Sequence, residues 1–250
     1  MTLADHCARL RALHVPGDPL VLPNAWDVAS ARAVVAAGFP VVATTSSGVA
    51  QALGYEDEEN GPPEEMLAVG ARIARAVDVP VTVDAEAGYG MGPGDLVEAL
   101  SGAGAAGCNL EDSDHAAGRI TEINTQAERL AAIRAAADDR GFGLVINARV
   151  DVFLRDRERP QMELVDEAAS RARAYLEAGA DCVYPIFLGQ RDAIAAFVDA
   201  TRGPVNILGL PTAPSRDELA GLGVARISYG SLLHSQTMEH LATLLVEIPR

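Results

Sequence analysis

The chain has no lysine, few aromatic residues and only three cysteines, and these scarcities exclude several classes of function. All 20 basic residues counted as Lys or Arg are arginine, which excludes a lysine Schiff base, a pyridoxal-phosphate enzyme and a P-loop lysine. Cys7, Cys108 and Cys182 lack the spacings of metal or redox sites. Aromatic residues make up 4% of the chain. We therefore expect an aliphatic core and a chemistry that does not use lysine.

Long hydrophobic runs are also missing, and the charge is mostly of one sign. No apolar run reaches membrane-spanning length, and the N-terminus lacks the charged-then-apolar pattern of a signal peptide. The net charge of -15 argues against nucleic acid or an anionic membrane as a partner. We therefore expect a cytoplasmic protein that binds a small molecule, attracted locally by a metal ion and a few arginines.

Strand and helix patterns alternate along the whole chain. Eight β-branched or apolar runs predict strands at 20–24, 40–45, 79–86, 107–112, 143–150, 181–187, 205–210 and 225–229. Eight helical patterns follow them, at 29–37, 64–77, 95–103, 122–139, 163–178, 192–201, from 215, and at 232–246. Eight such units within residues 1–250 predict one (β/α)8 TIM barrel domain. A doubly wound open sheet is the alternative, but no Gly-rich dinucleotide motif follows the first strand.

Three carboxylates stand at the ends of neighbouring predicted strands. Asp84 and Glu86 end the third strand, and Glu111 ends the fourth. Strand C-termini converge on one face of a barrel, where active sites lie, and clustered acids repel one another unless a cation lies among them. Oxygen ligands suit Mg²⁺ or Mn²⁺, so the sequence predicts a divalent-metal enzyme. The other candidates at this mouth are Trp26, Asp27, Ser46, Ser47, Asn147, Arg149, Tyr184, Asn206 and Tyr229.

Five motifs stand at predicted strand ends, in chain order: Asn24-Ala25-Trp26-Asp27, Ser46-Ser47-Gly48-Val49, Asp84-Ala85-Glu86-Ala87-Gly88-Tyr89-Gly90, Asn109-Leu110-Glu111-Asp112 and Asn147-Ala148-Arg149-Val150-Asp151. Together they resemble the isocitrate lyase/phosphoenolpyruvate mutase superfamily over most of the chain. The resemblance implies chemistry on 2-oxo or 2-hydroxy carboxylates. It also implies Mg²⁺, held partly through water by Asp84, Glu86 and Glu111, that stabilises an enolate-like transition state.

The resemblance also implies how the substrate is bound. Backbone N–H groups around Ser47, Gly48 and Val49 would hold a carboxylate or an oxyanion. Arg149 would bind a second anionic group of the substrate with its planar fork, or would instead be a structural clamp on nearby acids. Asp57, in the loop after the second strand, matches a family aspartate near the reacting end.

The loop after the fourth strand departs from the family pattern. It reads Asp112-Ser113-Asp114-His115-Ala116-Ala117-Gly118-Arg119, without the cysteine that isocitrate and methylisocitrate lyases use as an acid and without the lysine of the phosphonate mutases. The resemblance therefore favours the branch without that cysteine, which includes oxaloacetate-decarboxylase-like and acetylhydrolase-like members. His115 is a candidate acid or base in this loop, although a loop histidine is more often simply solvated.

These observations predict a Mg²⁺-dependent lyase that breaks a carbon–carbon bond of a small 2-oxo or 2-hydroxy di- or tricarboxylate, oxaloacetate being the simplest. A hydrolase of the same substrate class is the first alternative, with Asp57 or His115 as the base for water. A barrel that binds metal and oxoacid without turnover is the second. Family members often pair through a swapped C-terminal helix, so the resemblance implies a homo-oligomer, a dimer or tetramer.

Overall fold

Parallel strands form the centre of the computed structural model, which describes residues 1–249. The strands are β1 (Leu20–Leu22), β2 (Asn24–Ala25), β3 (Val42–Thr44), β4 (Val81–Asp84), β5 (Gly107–Glu111), β6 (Ser113–Asp114), β7 (Arg119–Ile120), β8 (Val145–Val150), β9 (Cys182–Pro185), β10 (Asn206–Leu208) and β11 (Arg226–Ser228). All except β6 and β7, which form an antiparallel hairpin, pair in parallel.

Two arcs of strands make up the barrel. One has the order β2-β3-β4-β5-β8-β9 and the other the order β1-β11-β10. The arcs meet where β1 and β2 form two halves of one strand on either side of Pro23, and again at a parallel bridge between Val183 and Val205. The predicted (β/α)8 barrel is confirmed, with β1 and β2 together counting as its first strand.

Helices pack around the outside of this ring, as the crossover connections of parallel strands require. They are α1 (Leu3–Ala12), α2 (Val28–Ala36), α3 (Ser46–Leu53), α4 (Pro63–Ala76), α5 (Pro93–Gly102), α6 (Ile123–Asp139), α7 (Val152–Arg155), α8 (Gln161–Glu177), α9 (Arg191–Thr201), α10 (Arg216–Gly221) and α11 (Leu232–Val246). Within residues 1–249, no helix combines the length and the apolar character needed to cross a membrane.

Three helices and the hairpin lie outside the eight predicted units. The first, α1, closes the base of the barrel, where a Cβ on Gly107 would lie 2.8 Å from Leu10 Cδ2, so glycine permits this close packing. Residues 46–53, predicted as part of a polar loop, form α3. Seven of the eight strands are shorter than predicted. Glu86 therefore lies beyond the end of β4, and strand alternation does not determine its direction.

A polar layer lies inside the barrel below its mouth. Arg226, with 1% of its surface exposed, is the largest fully buried side chain. Its Nη2 donates to Asn109 Oδ1 at 3.2 Å, and Asn147 Nδ2 donates to the same oxygen at 2.8 Å. Barrel interiors are usually filled by branched apolar residues, so this layer separates an aliphatic core from a polar mouth.

Candidate active site

A cavity of about 400 Å³ opens at the C-terminal ends of the strands. It brings together ten of the residues predicted from the sequence, whose side chains come from six strand ends and the segments that follow them. These are Ser46, Ser47, Asp57, Asp84, Glu86, Glu111, His115, Arg149, Tyr184 and Tyr229. The predicted location of the site at the barrel mouth therefore agrees with the geometry of the fold.

Asp84 and Asp57 each point a carboxylate oxygen that lacks a partner toward this cavity. The Ser46 N–H donates to Asp84 Oδ2 at 3.1 Å, and the Asp84 N–H donates to Thr44 Oγ1 at 2.8 Å. Asp84 Oδ1 and Asp57 Oδ1 are buried and have no hydrogen-bond partner among residues 1–249. Burial, and then the charge of Asp84, raise the pKa of Asp57. Buried carboxylate oxygens without a hydrogen-bond partner favour the binding of a cation.

Glu86 is held by its backbone in the left-handed region, with φ of 48°. The Glu59 N–H donates to Glu86 Oε2 at 2.5 Å, and the Glu111 N–H donates to the Glu86 carbonyl at 2.9 Å. Burial raises the pKa of the Glu86 carboxyl to about 7, and the nearby charges of Asp84 and Asp57 add to this shift. The side chain therefore reaches the cavity through a strained turn and not through strand geometry.

Glu111 lies between two positively charged or protonatable groups. Its Oε2 is 2.5 Å from Arg149 Nη1, and its Oε1 is 2.6 Å from His115 Nε2, although the second contact is poorly aligned for a hydrogen bond. Burial raises the pKa of Glu111 to about 7 against the opposing effect of Arg149. Contact with Glu111 raises the pKa of His115. His115 thus faces the site, and its alternative as a solvated loop residue does not hold.

Arg149 is clamped as well as exposed to the cavity. Its Nε and Nη2 donate to the two oxygens of Asp151 at 2.6 and 2.8 Å, and its Nη1 contacts Glu111. Ser113 Oγ donates to Asp151 Oδ2 at 2.5 Å. A guanidinium has five N–H donors, and three of those of Arg149 are used, so two remain for a ligand. Arg149 can therefore serve both as a structural clamp and as a ligand for an anion.

Asp112 points away from the cavity, as strand alternation predicts, and supports the site from behind. Its Oδ1 accepts from the Asp151 N–H at 2.9 Å, and its Oδ2 accepts from Tyr175 Oη at 2.8 Å and from Arg171 Nη1 at 3.3 Å. Burial raises the pKa of Asp112 to about 6. The Arg149–Asp151 pair is therefore anchored to α8.

The start of α3 offers backbone donors to an anion. The Val49 N–H bonds to the Thr45 carbonyl at 3.0 Å, and the Ser46 N–H is used by Asp84. The amides of Ser47 and Gly48 have no protein partner within the described chain, as expected for the first turn of a helix. Val49 was predicted as a third donor, and that prediction is wrong because its amide is already inside the helix.

Besides Gly48, whose amide is described above, four predicted binding residues do not line the cavity. Asp27 caps α2, where its Oδ1 accepts from the Ser30 N–H at 2.7 Å, and Trp26 packs edge-on against His234 with ring centroids 5.0 Å apart. Val49 is buried in α3, and Asn206 lies below the cavity, where its Nδ2 donates to Ser228 Oγ at 3.0 Å. These positions are therefore structural, because each side chain faces a neighbouring element and not the mouth.

The three cysteines are buried, reduced and remote from the chemistry. None of them lines the cavity in the described part of the chain. Burial raises the pKa of Cys7 to about 11 and the pKa of Cys108 and Cys182 to about 12. A thiol with such a pKa is a poor nucleophile or acid near neutral pH, so no cysteine replaces the family's loop acid.

Two features of the site were missed from the sequence. Glu59 orders the turn around Glu86, and the only local sign of it was the acidic run at residues 56–59. The cavity lining that follows β8, β9, β10 and β11 combines the hydroxyl groups of Ser228, Tyr229, Ser231 and Ser235 with apolar side chains, namely Leu154, Ile186, Phe187, Leu208, Leu210 and Leu232. Leucine and isoleucine at strand ends resemble ordinary core residues in sequence, so no local pattern marks them.

Metal coordination by these acids is incomplete in the arrangement observed. Among residues 1–249, no three His, Cys, Asp or Glu side chains converge closely enough to hold an ion directly. Glu111 is occupied by Arg149 and His115, and Glu86 by the Glu59 amide. The free oxygens of Asp84 and Asp57 nevertheless fit a hard cation that is bound partly through water.

The fold and this acid-lined mouth define a class of barrel enzyme, and comparison with known proteins identifies the family. The model of the phosphoenolpyruvate phosphomutase family matches residues 10–248. The chain is 34% identical over 223 residues to an uncharacterized protein of Mycobacterium tuberculosis strain H37Rv, a match that covers 89% of this chain and 82% of that protein.

Two further relatives agree with this assignment. The oxaloacetate decarboxylase of Bradyrhizobium sp. strain ORS 278 is 31% identical over 208 residues, which cover 80% of this chain and 68% of that enzyme. A crystal structure from Burkholderia cenocepacia J2315, named as a phosphonomutase candidate, is 43% identical, with a TM-score of 0.91 over 97% of this chain and 100% of that one. The chain belongs to the isocitrate lyase/phosphoenolpyruvate mutase superfamily, whose members are carbon–carbon lyases or mutases.

Proposed function

We propose that this protein is a divalent-metal-dependent lyase that breaks a carbon–carbon bond of a small 2-oxo or 2-hydroxy acid through an enolate. The observation that carries the proposal is the buried, unpartnered oxygen of Asp84, which lies in one cavity with Glu86, Glu111 and Asp57. Mg²⁺, or Mn²⁺ in its place, would be held by Asp84 and Asp57 and through water by Glu86 and Glu111. When bound, it supplies a Lewis acid that stabilises negative charge on the substrate's oxo oxygen.

The remaining groups bind the substrate and move protons. The free amides of Ser47 and Gly48 hold its carboxylate at the positive end of α3. The two spare N–H groups of Arg149 orient the adjacent oxygen. His115 is the one histidine that lines the cavity in the described chain, and it delivers the proton that quenches the enolate carbon. Contact with Glu111 raises the pKa of His115 and so favours the protonated form that can donate.

Oxaloacetate is the first substrate to test, because loss of CO₂ needs only an enolate sink and a means of holding the oxoacid. Hydrolysis of the same substrate class is the alternative. It is supported by Asp57, whose unpartnered oxygen faces the cavity and whose raised pKa suits a base that takes a proton from water. The two reactions are distinguished by their products, pyruvate with CO₂ or oxalate with acetate.

Thermal unfolding with Mg²⁺, with oxalate and with both tests the proposal directly. Oxalate resembles the enolate of pyruvate, and a ligand at about 100 times its Kd adds about 2.7 kcal/mol of stability. We expect a shift of the melting temperature only when both are present. A protein that does not respond to the pair has no metal–oxoacid site, and the proposal is then wrong.

Turnover separates an enzyme from a barrel that only binds. Glu111→Ala removes the group that contacts both His115 and Arg149, and we expect oxaloacetate turnover to fall at least about a hundredfold. Glu163→Ala, which removes an exposed acid on α8, is the matched control and should retain full turnover. Wild-type protein that binds Mg²⁺ and oxalate but turns over none of the 2-oxo acids would favour the silent binder.

We also propose that the protein is a homo-oligomer. The outer face of α11 exposes Met238, Leu241, Leu244, Leu245 and Val246, the last with 84% of its surface accessible. Contiguous exposed apolar residues of this kind usually belong to an interface. A second copy of the chain is the simplest partner for this face.

A further inference from the structure

The side-chain amide of Asn109 forms part of the cavity floor, and its orientation is fixed from below. Asn109 lines the cavity with 7% of its surface exposed. Its Oδ1 accepts from Arg226 Nη2 at 3.2 Å and from Asn147 Nδ2 at 2.8 Å. An arginine side chain can only donate hydrogen bonds. The oxygen of the Asn109 amide therefore has to face Arg226, and its NH₂ group is directed away from this polar layer.

The NH₂ group of Asn109 has no acceptor in the protein. Within residues 1–249 it donates no hydrogen bond, although the cavity reaches this residue. Asp84 is the register partner of Asn109 on β4, yet Asp84 Oδ1 accepts from no donor in the same range. Buried amides normally have hydrogen-bond partners. A donor left free at the floor of a cavity therefore indicates a ligand with an acceptor oxygen.

The strand order places this donor beneath the groups assigned to metal and substrate. Strand β5, which carries Asn109, lies between β4 and β8. Asp84 on β4 is in register with Asn109, and Arg149 on β8 is in register with Glu111, two residues further along β5. Side chains two residues apart on a strand point to the same face. A ligand held between Asp84 and the spare N–H groups of Arg149 therefore lies over the Asn109 amide.

Arg226, which fixes this amide, is itself poorly satisfied. Its Nε and Nη1 are buried and have no hydrogen-bond partner among the described residues. A buried guanidinium with most of its donors unpaired destabilises a fold. Such departures from a well-paired interior persist where function requires them. The bond from Arg226 to Asn109 gives this buried charge a functional reason.

We propose that Asn109 is a catalytic residue that donates a hydrogen bond to the oxo oxygen of the substrate, and that Arg226 is the positioning residue that keeps the amide in this orientation. The inference rests on the proposed function and deepens it. Negative charge grows on that oxygen as the carbon–carbon bond breaks, and a donor fixed in advance stabilises charge where it develops. The amide keeps its proton, so His115 remains the proton donor to carbon.

Asn109→Ala tests the donor. In saturating Mg²⁺, calorimetry should show that oxalate binds at least about tenfold more weakly than to the wild type, because the variant lacks a hydrogen bond to a charged oxygen. The kcat for oxaloacetate should fall about a hundredfold, with a smaller change in KM. Asn124→Ala, which truncates an exposed asparagine on α6, is the matched control and should change neither. Oxalate affinity of the folded Asn109→Ala variant equal to that of the wild type overturns the inference.

Asn109→Asp distinguishes a donor from a structural residue. The substitution keeps the shape of the side chain and gives Arg226 a charged acceptor, so the melting temperature without ligand should not decrease. The NH₂ group is lost, and we expect oxalate affinity and kcat to fall at least as far as in Asn109→Ala. A purely structural asparagine would show the opposite pattern, with both retained in Asn109→Asp, and that result would contradict the inference.

Arg226→Met tests the positioning role. Without the guanidinium, the amides of Asn109 and Asn147 can turn over together, so oxalate affinity should fall about twofold or more as the competent orientation loses population. The same substitution made in Asn109→Ala should have no further effect on oxalate affinity, whereas an unrelated structural loss would add; additive losses would contradict the positioning role.

The wild-type titration separates the two possible failures. If the wild type binds oxalate with Mg²⁺ and Asn109→Ala binds it equally well, only this inference fails. If the wild type does not bind oxalate, the proposed function fails as well.

Discussion

Asp181 at the base of the barrel and Asp84 at its mouth are both partly buried acids next to strands, but their surroundings differ. Asp181 precedes β9 and accepts from Arg11 Nε at 2.7 Å, from Arg134 Nη2 at 2.7 Å and from the Ile146 N–H at 2.8 Å. Asp84 accepts one backbone N–H, and its other oxygen has no partner within residues 1–249. A buried acid with every oxygen paired stabilises a fold, whereas one left unpaired indicates a ligand.

The same contrast extends to the groups around these two acids. At the base, α1 covers the strand starts with apolar contacts, and His14 is buried there without charge. At the mouth, burial and mutual repulsion raise the pKa of Glu86, Glu111 and Asp57. Such destabilised groups persist where function requires them. Changes at the two ends should therefore affect different properties.

The largest expected effect is on function at the mouth. Asp84→Asn removes one charge and keeps the shape, so we expect metal-dependent turnover and oxalate binding to fall by about a thousandfold or more. The free energy of unfolding without metal should not decrease, because repulsion with Asp57 and Glu86 is relieved. Kinetics and calorimetry on the same preparation measure both. Retention of Mg²⁺-dependent oxalate binding would mean that Asp84 is not a metal ligand.

The next largest effect is on stability at the base. Asp181→Ala leaves the Ile146 amide without its acceptor and removes the charged partner of Arg11 and Arg134, so we expect the free energy of unfolding to fall by about 3 kcal/mol. Urea denaturation monitored by circular dichroism gives this value. Oxalate affinity of the folded variant should match the wild type, and an affinity loss comparable to that of Asp84→Asn would remove the distinction between the two ends.

His14, at the base of the barrel, should make the free energy of unfolding depend on pH. Its Nδ1 lies 2.8 Å from the Leu10 carbonyl, and burial, followed by the charge of Arg226, lowers its pKa to about 4 in the folded chain. In the unfolded chain the His14 imidazole has a pKa of about 6.5. As the pH falls, the unfolded state therefore binds the proton before the folded state does. This contribution to stability is therefore complete above pH 6.5 and falls by about 2 kcal/mol between pH 7 and pH 5.

The control for this prediction is His14→Gln, since the mouth acids also titrate. Subtracting the unfolding free energies of the variant from those of the wild type at each pH cancels the other groups. The prediction concerns this difference alone. A difference that stays constant from pH 7 to pH 5 would show that His14 is not buried in its neutral form.

The smallest effect on the fold is expected outside the barrel, on α11. Leu241→Asp with Leu245→Asp places charges on the exposed apolar face and should convert the proposed oligomer to a monomer. The free energy of unfolding of each chain should change by less than about 0.5 kcal/mol, as for ordinary surface substitutions. Light scattering after size exclusion gives the mass. A wild-type protein that is already a monomer would contradict the oligomer.

The sequence alone determined the barrel and predicted the location of its candidate site. Hydrophobic runs of strand length alternating with helical patterns recur eight times, and this periodicity is local, so it can be recognised without contacts. Acids directly after two neighbouring strands predicted the chemistry of the mouth, because parallel strands in a barrel end on one face. Asp84 and Glu111 were predicted in this way. Glu86 was predicted as the end of a strand, but it lies in a turn beyond β4.

Tertiary structure alone decided which of these groups are free to act. The contact of Arg149 with Glu111 depends on the pairing of β5 with β8. The contacts of Glu59 with Glu86 and of His115 with Glu111 depend on how loops fold over the mouth. The apolar side chains that follow β9 and β10 and begin α11 line one cavity, although they are far apart in the chain. A local sequence pattern indicates whether a segment is a helix or a strand, but it does not indicate which segments pack against it. Whether a side chain is paired, strained or open to a ligand is set by segments distant in sequence.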